Sequence, residues 1–307
     1  MRRHRLGAQG PEISVIGFGA WEAGGEQWGP NESEDAVIDA MRAALDAGID
    51  WIDTAEVYGQ GTSERLVAKA IAGRRDDVTI ATKVAPSSEG SGLRPEQIRA
   101  ACDGSLSRLG IDHIDLYQLH WPDETGIPVE DSWGAMTELQ DAGKVRWIGV
   151  SNFDRELIER CRAIRHVDSL QQEFSMLNRA DADLIRWCGE TDTGVVSYGP
   201  LAFGLLTGAI SKDTTFGPGD WRGTEREGLF ANLDGSLAAV GRLRPVADRL
   251  GCTLAQLALA WNFSQAGVTS AIAGSRNAAH VRANAEAGDL ELDELTLKEL
   301  DSILDEA

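Results

Sequence analysis

Cysteine is scarce: the four residues Cys102, Cys161, Cys188 and Cys252 in 307 form no CxxC pair and no Cys/His cluster of zinc spacing. That excludes a disulfide scaffold, predicts no metal site, and reads as reduced core thiols in a cytoplasmic protein. Basic residues are also in deficit, 29 Lys and Arg against 49 Asp and Glu, for a net charge of −20. So acidic a chain is a poor match for nucleic acid or an anionic membrane surface. No long apolar run exists either. The longest uncharged stretch, 193–211, is interrupted by Gly194, Gly199, Pro200, Gly204 and Gly208, which suits a strand, a turn and a loop rather than a membrane span. The opening MRRHR is followed by LGAQGP instead of the apolar core of a signal peptide, and reads as a solvated terminal strand. No Pro/Ser-rich linker, internal repeat or low-complexity segment divides the chain, so residues 1–307 are expected to form one domain. The Gly-rich dinucleotide turn is missing as well: GFGAWE (17–22) and GQGTSE (59–64) place Glu22 and Glu64 where GxGxxG needs its third glycine.

What is present alternates. Short runs rich in β-branched and aromatic residues, at 14–19, 51–55, 78–84, 114–120, 145–151, 169–174, 194–200 and 269–274, are separated by segments of helical period. Val37, Ile38, Met41, Ala44 and Leu45 share one face of a predicted helix, Pro95 suits a first helical turn, and Ser33 and Thr253 read as N-caps. Eight strand candidates alternating with helices predict a (β/α)8 TIM barrel, here with an N-terminal hairpin and a long connection at 209–234 after the seventh barrel strand. That connection reads as a lid or a disordered insertion.

Active sites of such barrels form at the C-terminal strand ends. Polar residues stand there strand by strand: Asp53, Lys83, His120, Ser151 with Asn152, Gln172, Tyr198, and Gly274 to Arg276. Taken singly, each also fits a structural role, Asp53 as a turn former, Lys83 as a rim residue, His120 and Tyr198 as core.

Together they carry a pattern. The strings DTAEVYG (53–59), TK (82–83), LHW (119–121) and GVSNF (149–153) resemble the aldo-keto reductase superfamily, in order and at similar spacing. SYGPLAFGLLTG (197–208) and AGSRN (273–277) look closest to the branch containing bacterial aryl-aldehyde reductases and potassium-channel β subunits. The resemblance implies reversible, NADPH-dependent reduction of a small-molecule aldehyde or ketone. By that similarity Tyr58 is the general acid, Lys83 the cation that assists it, Asp53 the partner of Lys83, and His120 the group that orients the carbonyl. NADPH or NADP+ is the implied cofactor, with NADH less favoured. Ser151, Asn152 and Gln172 would hold its carboxamide and Tyr198 would stack on the nicotinamide. Backbone at Gly199, Pro200, Leu201 and Gly204 would line the pyrophosphate. Gly274, Ser275 and Arg276 would meet the 2′-phosphate, with His280 and Asn284 on the adenine side. Trp21 and Trp121, joined by Trp28 and Trp221, would wall the substrate pocket. The chain departs from its near relatives at Ala209, where they carry Lys, and at His280 and Ala283, where they carry Gln and Glu. Two rival readings are an NADP(H)-sensing regulatory subunit with slow turnover, and a barrel enzyme using Lys83 as a Schiff-base nucleophile.

Overall fold

The computed structural model describes residues 1–29, 33–86, 92–225 and 228–305. Strands β1 (Arg3–Arg5) and β2 (Glu12–Ser14) pair as an antiparallel hairpin. Eight further strands, β3 (Ile16–Gly19), β4 (Trp51–Asp53), β5 (Thr79–Val84), β6 (Ile114–Leu119), β7 (Val145–Ser151), β8 (Ser169–Glu173), β9 (Gly194–Tyr198) and β10 (Val268–Ile272), close into a parallel barrel in sequence order. The first predicted strand, 14–19, is divided at Val15 between the hairpin and β3; the other seven fall where the apolar runs stand.

Six helices each connect one barrel strand to the next: α1 (Glu34–Asp46), α2 (Thr62–Ala70), α3 (Pro95–Leu109), α4 (Val129–Asp141), α5 (Arg155–Arg162) and α6 (Ala182–Glu190). After β9 come α7 (Gly228–Ala231), α8 (Leu233–Leu250) and α9 (Leu254–Phe263); α10 (Ala278–Glu286) and α11 (Glu294–Asp305) follow β10. The expected caps are in place. Ser33 accepts from the Ala36 backbone N–H, Pro95 opens α3, and Thr253 forms a reciprocal capping box with Gln256. Among the described residues, no helix is long and apolar enough to cross a membrane.

Alternation along each strand sorts side chains into two cores. Outward residues such as Ile80, Tyr117, Leu119 and Ile148 pack against the helices. Inward residues Trp51, Ala81, Leu116, Val196 and Ile272 fill the lower barrel, joined by Leu6 and Ile13 of the hairpin, which therefore closes the bottom. Gly17 makes room for Trp51, since a Cβ there would lie 2.1 Å from the indole ring. With the bottom filled mostly by apolar side chains, the ionisable inward residues Asp53, Lys83 and His120 stand toward the upper end, where the strands finish.

Candidate active site

Asp53 ends β4, Lys83 lies one residue before the end of β5, and His120 follows β6 directly, so three neighbouring strands deliver three polar groups to one place. Tyr58 arrives from the turn after β4. The Lys83 side chain is wholly buried, and its Nζ donates to Asp53 Oδ2 at 2.7 Å, to the Thr54 carbonyl at 2.9 Å and to the Tyr58 hydroxyl at 3.2 Å. An ammonium has three hydrogens, and all three are used. Tyr58 Oη stands 3.5 Å from His120 Nε2. The Trp121 ring stacks on His120 at a centroid distance of 3.9 Å and 9° between planes, while itself 43% exposed at the mouth.

Burial governs the titration of this cluster. It pushes Tyr58 well above the usual phenol value, helped by the Asp53 carboxylate, so the hydroxyl keeps its proton. Burial lowers Lys83 against the opposing pull of Asp53. His120 is held well below the usual imidazole range by burial and by the Lys83 charge, so its ring is neutral.

Asn152 ties the next strands to this group. Its backbone is left-handed, with φ of 60°, a conformation that Asn tolerates better than most residues. From there its amide donates to the His120 carbonyl and to Ser151 Oγ, both at 3.1 Å, and accepts from the Tyr198 hydroxyl at 2.9 Å. Ser197, on the opposite face of β9, donates to the buried Asn262 of α9, which in turn donates to the Phe174 carbonyl at 2.8 Å. The end of β9 is thus anchored on both faces, through Tyr198 on one and Ser197 on the other.

One expected site residue is turned away. Gln172 faces the outer layer and donates to Asp181 at 2.7 Å, in a cleft of about 380 Å³ between the N-termini of α5 and α6. Its neighbour Gln171 points into the barrel and donates to Asp53 Oδ1 at 2.8 Å. The correction follows from the two-residue period of a strand: adjacent positions face opposite sides, and only Gln171 shares the interior with Asp53.

A second region lies over the ends of β9 and β10. Ala202 and Phe203 both have positive φ, 47° and 52°, which is costly for residues with a Cβ. Arg222 Nη1 donates to the Phe203 carbonyl at 3.1 Å and stands 3.3 Å from where a Cβ of Gly204 would be. The guanidinium is held by Asp220 and lies 4.6 Å from the ring centroids of both Trp28 and Phe216. A short antiparallel bridge joins Trp28 to Asp220, and the Trp221 N–H donates to the Gln27 carbonyl at 2.9 Å. The connection 209–234 is therefore laced to the loop after β3; its residues 226 and 227 lie outside the described residues. Arg276 donates to the carbonyls of Trp28 at 2.9 Å and Gly29 at 3.1 Å. Ser275 Oγ accepts from the Asn277 N–H and approaches His280 Nδ1 at 3.5 Å; Asn277 caps α10, and Asn284 is buried within it. The sequence reading passed over Arg222 and Gln171. The only signals were a cation two positions after an acid, Asp220, in the long loop, and strand alternation.

Trp21 lies 6.3 Å from Tyr58, 5.2 Å from Trp28 and 6.1 Å from Trp221, ring centre to ring centre, so these rings cluster beside Tyr58. Comparison with known proteins decides the family. The aldo/keto reductase family model matches residues 15–305. This chain belongs to the aldo/keto reductase family. It is 37% identical over 304 residues to aldo-keto reductase YhdN of Bacillus subtilis (strain 168), covering 96% of this chain and 91% of that protein. Its fold matches the glycerol dehydrogenase AKR11B4 from Gluconobacter oxydans with a TM-score of 0.87 and 31% identity, over 99% of this chain and 95% of the other. An aldo/keto reductase from Klebsiella pneumoniae, solved in complex with NADP and acetate, matches with a TM-score of 0.76 and 31% identity over 98% and 96% of the two chains. As a family member, this reductase is an oxidoreductase acting on carbonyl and alcohol groups.

Proposed function

We propose that the chain, working as one barrel domain in the cytoplasm, reversibly reduces a small aldehyde or ketone with NADPH, and that Tyr58 is the general acid. The observation that carries this reading is the buried chain Asp53–Lys83–Tyr58 with His120 Nε2 beside the phenol oxygen. A reduced nicotinamide dinucleotide, when bound, supplies the hydride. The residues do the rest. Because Tyr58 Oη accepts from Lys83, its own hydrogen is free to point at a carbonyl oxygen. As that oxygen gains charge it takes the phenolic proton, and the ammonium at 3.2 Å stabilises the phenolate left behind. Asp53, braced by Gln171, keeps Lys83 charged and fixed. The neutral His120 donates to the same oxygen and fixes its direction. Lys83 has no lone pair to offer a carbonyl carbon while its three hydrogens are bonded, which weighs against the Schiff-base reading.

The residues present fit a phosphorylated dinucleotide. Gly204 leaves open backbone under the Arg222 guanidinium, and Ser275 and Arg276 stand at the N-terminus of α10, where a phosphate is stabilised by backbone N–H groups and charge. On this reading Ser151, Asn152 and Gln171 would hold the carboxamide, Tyr198 would stack on the ring, and Arg222 would supply near the pyrophosphate the charge that Ala209 lacks. Arg276 and Ser275 favour NADPH over NADH. Trp21 and Trp121 flank the tetrad as walls for a flat carbonyl compound.

NADPH consumption with para-nitrobenzaldehyde tests the proposal. The parent turns over, and Tyr58→Phe loses about 10²- to 10⁴-fold in kcat, the range for removal of a general acid. A variant that retains parental turnover would sink the assignment of Tyr58.

A further inference from the structure

Gln118 is a polar side chain in an unusual place. It lies on β6, has no exposed surface, and faces the barrel interior, between inward Leu116 below and inward His120 above. It pairs in register with Lys83 on one side and with Gly149 on the other. Room for it depends on that glycine, since a Cβ at 149 would stand 3.2 Å from Gln118 Cγ. Among the described residues, neither the amide nitrogen nor the amide oxygen of Gln118 has a hydrogen-bond partner, and neither does Nδ1 of His120. Leaving such a group unpaired costs about 1–3 kcal/mol, so a buried amide and a buried imidazole nitrogen without partners on one face of one strand call for a common explanation. Positions i and i+2 of a strand are about 6.6 Å apart along its axis, within reach of a glutamine amide turned toward the ring above it.

We propose that Gln118 is a positioning residue that donates an amide hydrogen to Nδ1 of His120 and so holds the imidazole as its Nε2–H tautomer. The inference rests on the reading of His120 as a donor to the substrate carbonyl. Trp121 fixes the plane of the ring by stacking on it, but stacking does not choose which nitrogen carries the proton. In a neutral imidazole one nitrogen donates and the other accepts. Were Nε2 the acceptor, the Tyr58 hydrogen 3.5 Å away would be drawn to it, and the substrate oxygen would face neither donor. With Nδ1 occupied by an amide donor, Nε2–H and Tyr58 O–H converge on one point. Lys83 cannot play the part, because its three hydrogens are committed. Ser151 stands beside His120 by extension of the β6–β7 register; its Oγ accepts from Asn152 and keeps its own hydrogen, which makes it the rival donor to Nδ1 that the test separates from Gln118.

Nitrogen-15 NMR of the imidazole rings in the full-length protein, with and without NADP+, tests this, His120 being assigned by its loss in His120→Asn. The parent is expected to show the Nε2–H tautomer. Gln118→Met keeps the shape and removes the donor; it should shift His120 toward Nδ1–H and lower kcat about tenfold. Gln118→Asn keeps a shorter donor and should recover part of the parental signature, which a merely space-filling role would not produce. An Nδ1–H tautomer in the parent, or unchanged shifts in Gln118→Met, overturns the proposal. So does a shift seen in Ser151→Ala and not in Gln118→Met. A tautomer change in Gln118→Met with undiminished carbonyl reduction supports the pairing and overturns instead the donor role given to His120.

Discussion

Asp53, Lys83 and His120 stand at the ends of three adjacent strands and are joined, His120 by way of Tyr58, through contacts of 2.7–3.5 Å, whereas Trp28, Arg222 and Arg276 stand on three separate loops and meet mainly through backbone carbonyls and ring faces. In the first group the sheet register sets the geometry before any side chain is chosen. In the second, each side chain holds a loop that would otherwise have no fixed place, and the loop in turn holds the side chain. The two regions should therefore fail differently: the strand-end cluster by losing chemistry while the fold stays put, the loop cluster by losing order while the chemistry stays intact.

Lys83→Met is the strongest way to break that contrast. Turnover should fall about 10²-fold or more, while calorimetric affinity for NADPH stays within about twofold. The same residue sets a pH limb. Burial lowers Lys83 from the ordinary 10.5, so as pH rises through that lowered value the ammonium is lost, the phenolate of Tyr58 loses its support, and reduction slows. A pH profile should show this alkaline limb in the parent and not in Lys83→Met. Equal loss of NADPH affinity in that variant would mean that the two regions are not separable.

Arg276→Ala probes the other side. Loss of a charge-assisted contact of about 1.5–3 kcal/mol predicts roughly 10- to 100-fold weaker NADPH binding by calorimetry, with kcat at saturating cofactor nearly unchanged. Because Arg276 also holds Trp28 and Gly29, NADH, which has no 2′-phosphate, should weaken too, by a few-fold. An effect confined to NADPH would reduce Arg276 to a phosphate contact alone. The smallest effect belongs to Asp220→Ala. Freed from its carboxylate, Arg222 loses orientation, and stopped-flow release of NADPH should quicken by about two- to fivefold.

The same contrast explains what was legible in the sequence. The barrel strands are written as apolar runs of strand length, and the caps at Ser33 and Thr253 are local signals that need no tertiary knowledge. The adjacent pair Gln171 and Gln172 gives no hint of phase in the sequence; only pairing to β7 and β9 shows that Gln171 faces inward. Glu64, which spoils a dinucleotide turn in the sequence, is wholly buried and accepts from Thr82 and Arg108, partners 18 and 44 residues away. Arg222 and Arg276 find theirs across 19 and more than 240 residues. Contacts of that separation leave no period and no spacing to read.

The aromatic wall has an optical consequence. Of nine tryptophans, Trp21, Trp28 and Trp221 lie with ring centres within 6.1 Å of one another, and all three sit where the two laced loops meet. Indoles so close share excitation energy. Excitation absorbed by any one of the three is therefore spread over all of them, and unlacing those loops would change the colour and lifetime of their emission without any label being attached.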